Sequence, residues 1–123
     1  MNNILLDTNI LIYLLQGNAS LKEILEDKTW FISFITEMEI QMKPDLSNSE
    51  LKAIRSLLDE CIIMEMNNLI KSKAINSAIN FKLKLADSII FATAQIQNMP
   101  LITADSVFKK IAEQKNDVLF IIP

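Results

Sequence analysis

The stretch ILLDTNILIYLL, residues 4–15, decides the fold, and it carries one charge, Asp7. The apolar residues 4–6 predict a buried strand, and residues 8–16 predict a helix that stops at Gly17. Asp7 therefore follows directly on the end of a strand. Parallel α/β sheets bind their ligands at the carboxyl ends of the strands. A carboxylate between two apolar segments is thus expected to face a binding site.

Short apolar runs alternate with helical patterns along the rest of the chain. Capping-box patterns at Ser20–Glu23 and Ser47–Glu50 each predict the start of a helix. Strands that are apolar on both faces and alternate with helices indicate a three-layer α/β/α fold with a central, mostly parallel sheet of about five strands. Further strands are predicted at residues 30–33, 62–65, 101–103 and 118–121, and further helices at about 36–42, 67–81, 86–97 and 106–113.

Composition excludes several classes of protein. The 123 residues include 12 basic and 15 acidic ones, a net charge of −3, which argues against binding nucleic acid by bulk charge. Histidine is absent, so histidine-based triads, His–Cys zinc sites and histidine-ligated haem are excluded. The single cysteine, Cys61, excludes an internal disulfide and is expected to be a buried, inert thiol in a reducing compartment.

Nothing in the sequence predicts a membrane protein. No apolar run reaches the roughly 18 residues of a membrane-spanning helix. The N-terminal residues lack the basic region of a signal peptide, and Asp7 interrupts the apolar stretch early. A cytoplasmic protein of one domain, residues 1–123, is expected.

Four carboxylates lie near predicted strand ends or helix starts: Asp7, Glu39, Asp87 and Asp105. Each also has a purely structural explanation: an Asx-turn for Asp7, a capping box with Thr36 for Glu39, a helix-dipole contact for Asp87 and a helix cap for Asp105. Four carboxylates at one edge would repel each other unless a cation compensates. A set of oxygen ligands without histidine or thiolate suits Mg²⁺ or Mn²⁺.

The segments LLDTNILIYLL, ISFITEMEI, LKLADSIIFATA and LITADSVFKKI resemble, in order and spacing, the four signature blocks of PIN-domain ribonucleases, in particular the VapC-type toxins of bacterial toxin–antitoxin pairs. The resemblance implies a PIN-like fold. It also implies a catalytic, metal-binding set made of Asp7, Glu39, Asp87 and Asp105, with Thr8, Asn9 and Thr103 supporting it by hydrogen bonds. The family spacing selects Glu39 over Glu37. Two departures occur: Ala86 stands where proline is frequent, and a glycine common shortly after Glu39 is missing.

The same resemblance implies a function. PIN-domain toxins cut single-stranded regions of RNA with Mg²⁺ or Mn²⁺, form homodimers and are inhibited by a cognate antitoxin protein. Removing the four site acids from the 15 acidic residues leaves 11 against 12 basic ones, so the rest of the chain is close to neutral. Several lysines lie near the signature blocks and are candidates for contacts with RNA phosphates: Lys43, Lys82, Lys84, Lys109 and Lys110.

Two other kinds of function remain open from the sequence. A PIN-like module that binds RNA or protein without cutting would share the fold. A Mg²⁺-dependent phosphoacceptor domain would share the parallel sheet, but it needs an acidic pair near the first strand, where residues 2 and 3 are asparagines. An aspartate-nucleophile phosphatase needs a second aspartate two positions after the first, where Asn9 stands.

Overall fold

The computed structural model describes residues 2–122, in which strands and helices alternate along most of the chain. The elements are β1 (Asn3–Leu6), α1 (Thr8–Leu15), α2 (Ala19–Leu25), β2 (Thr29–Ser33), α3 (Phe34–Gln41), α4 (Asn48–Asp59), β3 (Cys61–Met64), α5 (Asn68–Phe81), α6 (Leu85–Ile96), β4 (Leu101–Thr103), a 3-10 turn (Ser106–Phe108), α7 (Lys109–Gln114) and β5 (Val118–Phe120).

All five strands are parallel and are arranged in the order β3-β2-β1-β4-β5. The predicted fold class is confirmed, and the sheet is wholly rather than mostly parallel. β1 is the central strand. After β1 the chain builds outward to β2 and β3, and it then returns to place β4 on the other side of β1. The loops that follow β1 and β4 therefore diverge at a topological switch point, the place where α/β sheets bind ligands.

Alternate residues of each strand enter the cores on the two faces of the sheet. Ile4 and Leu6 pack with α1, α2 and α4, whereas Leu5 packs with α6 and α7. α5 packs on the outside of α6 through Ile70 and Ala74. Burial on both faces explains why the strands are almost wholly apolar.

Local capping signals were correct in one case and wrong in another. Ser47 and Glu50 form the expected capping box at the start of α4. The box predicted at Ser20 is wrong, because Asn18 is the N-cap of α2 and its side chain accepts the backbone N–H of Leu21. The helix therefore begins one residue before Ser20.

Cys61 lies at the start of β3 and is partly buried. Its thiol donates to the carbonyl oxygen of Leu57 at 3.4 Å. Burial, together with the charge of Glu60, raises the pKa of the thiol to about 11. The thiol is therefore protonated at neutral pH, and a protonated thiol is a poor nucleophile.

Among residues 2–122, none of the helices has both the length and the apolar character needed to cross a lipid bilayer.

Candidate active site

Asp7 lies in the turn between β1 and α1 and is 4 % exposed. The backbone N–H of Thr8 donates to its Oδ1 at 2.8 Å, and the hydroxyl of Thr103 donates to its Oδ2 at 2.6 Å. Its own N–H donates to the carbonyl oxygen of Ile102 at 3.0 Å. Both carboxylate oxygens are thus held by neighbouring elements, so the side chain is fixed in position.

The environment of Asp7 disfavours its charge. Burial raises the pKa of Asp7 from 3.8 to about 6, although the hydrogen bonds from Thr103 and Thr8 lower it. The negative charges of Asp105 and Asp87 raise this pKa further. Because the effect of a charge weakens with distance, these two aspartates lie near Asp7.

Asp105 follows β4 and caps the 3-10 turn. Its Oδ1 accepts the N–H of Val107 at 3.1 Å, which confirms the capping role predicted as its structural explanation. Its own N–H donates to the hydroxyl oxygen of Thr103 at 3.0 Å. Thr103 therefore connects the two strand ends, since it accepts from the Asp105 backbone and donates to the Asp7 carboxylate.

Asp87 lies in the first turn of α6, where the helix dipole favours an acid, as its structural explanation expected. Partial burial raises the pKa of Asp87 above its usual value. The charges of Asp105 and Glu39 raise it further, and the charge of Lys84 lowers it. Asp87 thus lies within electrostatic range of acids from two other elements.

Glu39 lies in α3 and is oriented by Thr8. The hydroxyl of Thr8 donates to Glu39 Oε1 at 2.6 Å and lies 3.0 Å from the hydroxyl oxygen of Thr36. The capping box predicted for Thr36 and Glu39 is wrong, because α3 begins at Phe34 and Ser33 is its cap. Because neither Thr36 nor Glu39 caps the helix, both side chains are available for tertiary contacts.

The three predicted supporting residues all make hydrogen bonds between elements of the site. Thr8 and Thr103 bind carboxylates, and Asn9 Oδ1 accepts the N–H of Ala104 at 3.4 Å, which ties α1 to the segment after β4. Thr36 was not predicted as part of the site. Its place in ITEME, three residues before Glu39, was the available signal.

The four predicted acids lie at one edge of the sheet, but their carboxylates do not converge on a single position that could hold an ion. No three acidic or cysteine side chains within residues 2–122 lie in an arrangement ready to hold a metal ion. The chemistry of the set nevertheless fits a hard divalent cation, because every donor is a carboxylate oxygen and the charges of neighbouring acids raise the pKa values of Asp7 and Asp87. A bound cation would remove that repulsion.

A groove that the sequence did not predict adjoins the acids. α1, α3 and the region of α4 enclose a cavity of about 280 Å³. Its lining is mostly apolar, as at Ile12, Ile40 and Ile54, and it also includes Glu39 and Lys43. The groove therefore joins an apolar surface to the acidic site.

Comparison with known proteins identifies the family. Residues 4–114 match the PIN domain family. A chain of a toxin–antitoxin complex from Klebsiella pneumoniae is 34% identical, with a TM-score of 0.81, over 94% of this chain and 95% of that one. VapBC2 from Rickettsia felis, bound to a DNA fragment from its promoter, is 20% identical, with a TM-score of 0.81, over 97% of both chains.

A third structure, VapBC-1 from nontypeable Haemophilus influenzae, is 23% identical, with a TM-score of 0.76, over 97% of this chain and 96% of that one. The two more distant structures share the fold. No match is found among curated proteins. The family match spans most of the chain and includes all four acids of the site, and the chain therefore belongs to the PIN domain family.

Proposed function

We propose that this protein is a Mg²⁺- or Mn²⁺-dependent endoribonuclease that cuts single-stranded regions of RNA, and that it is the toxin of a toxin–antitoxin pair. The observation that carries the proposal is Asp7, a buried carboxylate held at both oxygens beside two further aspartates at the switch point of the sheet. Membership of the PIN domain family and the likeness to toxin–antitoxin complexes support it.

We assign the metal to Asp7, Asp87, Asp105 and Glu39. When bound, a divalent ion would supply an activated water and stabilise the charge that develops on the phosphate. The Thr8 and Thr103 contacts hold Asp7 rigidly, so Asp7 serves as the anchor. Glu39 is held through one oxygen, Oε1, which leaves Oε2 to orient a water molecule. A chain without histidine has to build its acid–base chemistry from such carboxylates.

Two lysines lie near the proposed site acids and are candidates for contacts with RNA phosphates. Lys84 immediately precedes α6, and its charge lowers the pKa of Asp87. Lys43 lines the groove that contains Glu39. We propose that these two side chains guide the backbone of a single-stranded substrate toward the acids.

We propose two protein partners. A cognate antitoxin would place apolar side chains in the groove between α1, α3 and α4, and a basic side chain against Glu39. A second copy of the chain would cover the apolar face formed by Met66, Ile75, Ile79 and Leu85 on and beside α5 and α6. Because the substrate is RNA, we place the protein in the cytoplasm.

The test is cleavage of total RNA by the purified protein with Mn²⁺ and with EDTA, followed by mapping of the new 5′ ends. We expect cleavage with Mn²⁺ only. Asp105→Asn should reduce the rate by more than the roughly 10–100-fold typical of residues that only support a metal site. Glu23→Gln, a change at an exposed acid on α2, is the control and should cut normally.

Cleavage by Asp105→Asn at the wild-type rate would contradict the assignment. RNA binding without any cleavage would instead favour a PIN-like binding module. The observation that favours this second function is that no three acidic side chains within residues 2–122 are arranged to hold a metal ion.

A further inference from the structure

Thr36 is a fully buried polar residue on α3, with 0% of its surface exposed. It does not cap its helix, because Ser33 performs that role. Its hydroxyl oxygen lies 3.0 Å from that of Thr8, which is the first residue of α1 and 28 positions away in sequence. The Thr8 hydroxyl in turn lies 2.6 Å from Glu39 Oε1.

The directions of these two hydrogen bonds follow from proton counting. A threonine hydroxyl has one hydrogen, and an ionised carboxylate can only accept. Thr8 must therefore donate to Glu39, which leaves only its lone pairs for Thr36. Thr36 is consequently the donor to Thr8, and the chain of hydrogen bonds runs from the buried core outward to the carboxylate.

The end of this chain is an exposed side chain, since Glu39 faces solvent. A solvent-facing glutamate loses considerable rotamer freedom when it is held in one position. Burial fixes the position of the Thr36 side chain. The hydrogen that Thr36 donates is accepted by a lone pair of the Thr8 hydroxyl oxygen, and this contact restricts the rotation of the Thr8 hydroxyl group. The hydrogen of Thr8 is then aimed at Glu39, and the two bonds polarise each other.

We infer that Thr36 is a positioning residue for Glu39 and acts through the Thr8 hydroxyl. This inference deepens the proposed function and, where metal binding and cleavage are concerned, rests on it. Without Thr36 as donor, the Thr8 hydroxyl is free to turn away and Glu39 samples other rotamers.

The test compares Thr36→Val, which keeps the shape and removes the hydroxyl, with Thr36→Ser, which keeps the hydroxyl. Thr93→Val is the matched control, because Thr93 is equally buried and its hydroxyl donates within α6, to the carbonyl oxygen of Ile89 at 2.7 Å. Three quantities are measured: mobility of the Glu39 γ-methylene by NMR relaxation in metal-free protein, Mn²⁺ affinity by calorimetry, and the rate of RNA cleavage.

We expect Thr36→Val to increase the mobility of Glu39 and to weaken Mn²⁺ binding by about 10-fold, with a slower cleavage rate. Thr36→Ser should keep the mobility of Glu39, the Mn²⁺ affinity and the cleavage rate at their wild-type values. Thr93→Val should change none of these three quantities. If Thr36→Val does not fold, Thr36→Ala removes the same hydroxyl with a smaller side chain, and the same result is expected from it.

Unchanged Glu39 mobility and Mn²⁺ affinity in a folded variant without the Thr36 hydroxyl would overturn the inference and leave the proposed function standing. A wild-type protein that neither binds Mn²⁺ nor cuts RNA would overturn the proposed function. In that case the mobility of Glu39 still decides whether Thr36 positions it.

Discussion

Asp7 binds its proton more tightly in the folded protein than in the unfolded chain, because burial raises its pKa from 3.8 to about 6. An acid whose pKa is raised on folding stabilises the fold at low pH and loses that contribution as the pH rises. The loss occurs between about pH 4 and pH 6. Above this range, the ionised carboxylate of the metal-free protein costs about 3 kcal/mol of stability.

Asp7→Asn is therefore expected to stabilise the metal-free protein at pH 7, by up to about 3 kcal/mol, and to change stability little at pH 4. The variant keeps an oxygen that accepts from Thr8 and removes the buried charge. Urea unfolding at the two pH values measures the difference. Asp59→Asn, a change at the exposed acid that ends α4, is the control. If Asp7→Asn increases the free energy of unfolding equally at both pH values, the buried charge of Asp7 is not the cause.

At the scale of elements, the helices α1, α3 and α4 form the groove that leads to Glu39. Ala53 lies on α4, is exposed and lines this groove. Because glutamate is a good helix former, Ala53→Glu should leave the fold intact while it places a charge in an apolar cavity.

We expect Ala53→Glu to weaken binding of the cognate antitoxin at least 10-fold and to leave RNA cleavage unchanged. The antitoxin is sought as the product of the adjacent upstream reading frame, co-expressed and then measured by calorimetry. Ser56→Glu is the matched control, because Ser56 is exposed on the next turn of α4 and lies outside the groove. Equal affinities of the two variants would place the partner elsewhere.

Strand and helix order could be predicted from sequence because apolar runs and periodicity are local signals. Capping signals were less reliable where tertiary contacts compete for the same side chains. The Ser47 box stands on the surface and formed as expected, whereas Thr36 and Glu39 have the spacing of a box but bind Thr8 instead.

The distinction between local sequence signals and tertiary contacts also applies to the candidate active site. The nearness of Asp7 and Asp105, which follow β1 and β4, could be predicted from the rule that strand ends of a parallel sheet share one edge. The role of Thr36 was not predicted, because its place three residues before Glu39 does not reveal a contact with Thr8, 28 residues away. The groove depends on the angles between three helices, which periodicity does not specify.

At the scale of the whole molecule, α5 and α6 carry several exposed apolar side chains. Ile79 and Leu85 are 72% and 76% exposed, and they flank a depression that is almost wholly apolar. Monomeric proteins rarely expose contiguous apolar surface of this kind, which supports the proposed homodimer.

Ile79→Glu is expected to convert a dimer into a monomer, because each subunit would have to bury an unpaired charge in an apolar, symmetric interface. Size-exclusion chromatography with light scattering measures the mass. Ile24→Glu is the control, since Ile24 is an exposed isoleucine on α2, away from this face. A wild-type monomer, or an Ile79→Glu dimer, would contradict the proposed interface.

The central position of β1 has a consequence for the order of events during biosynthesis. Asp7 is synthesised 96 residues before Thr103, whose hydroxyl holds its carboxylate. A nascent chain on the ribosome therefore lacks both Thr103 and Asp105 until β4 and the residues that follow it have been made. The arrangement that we propose to cleave RNA can thus form only after translation has passed Asp105.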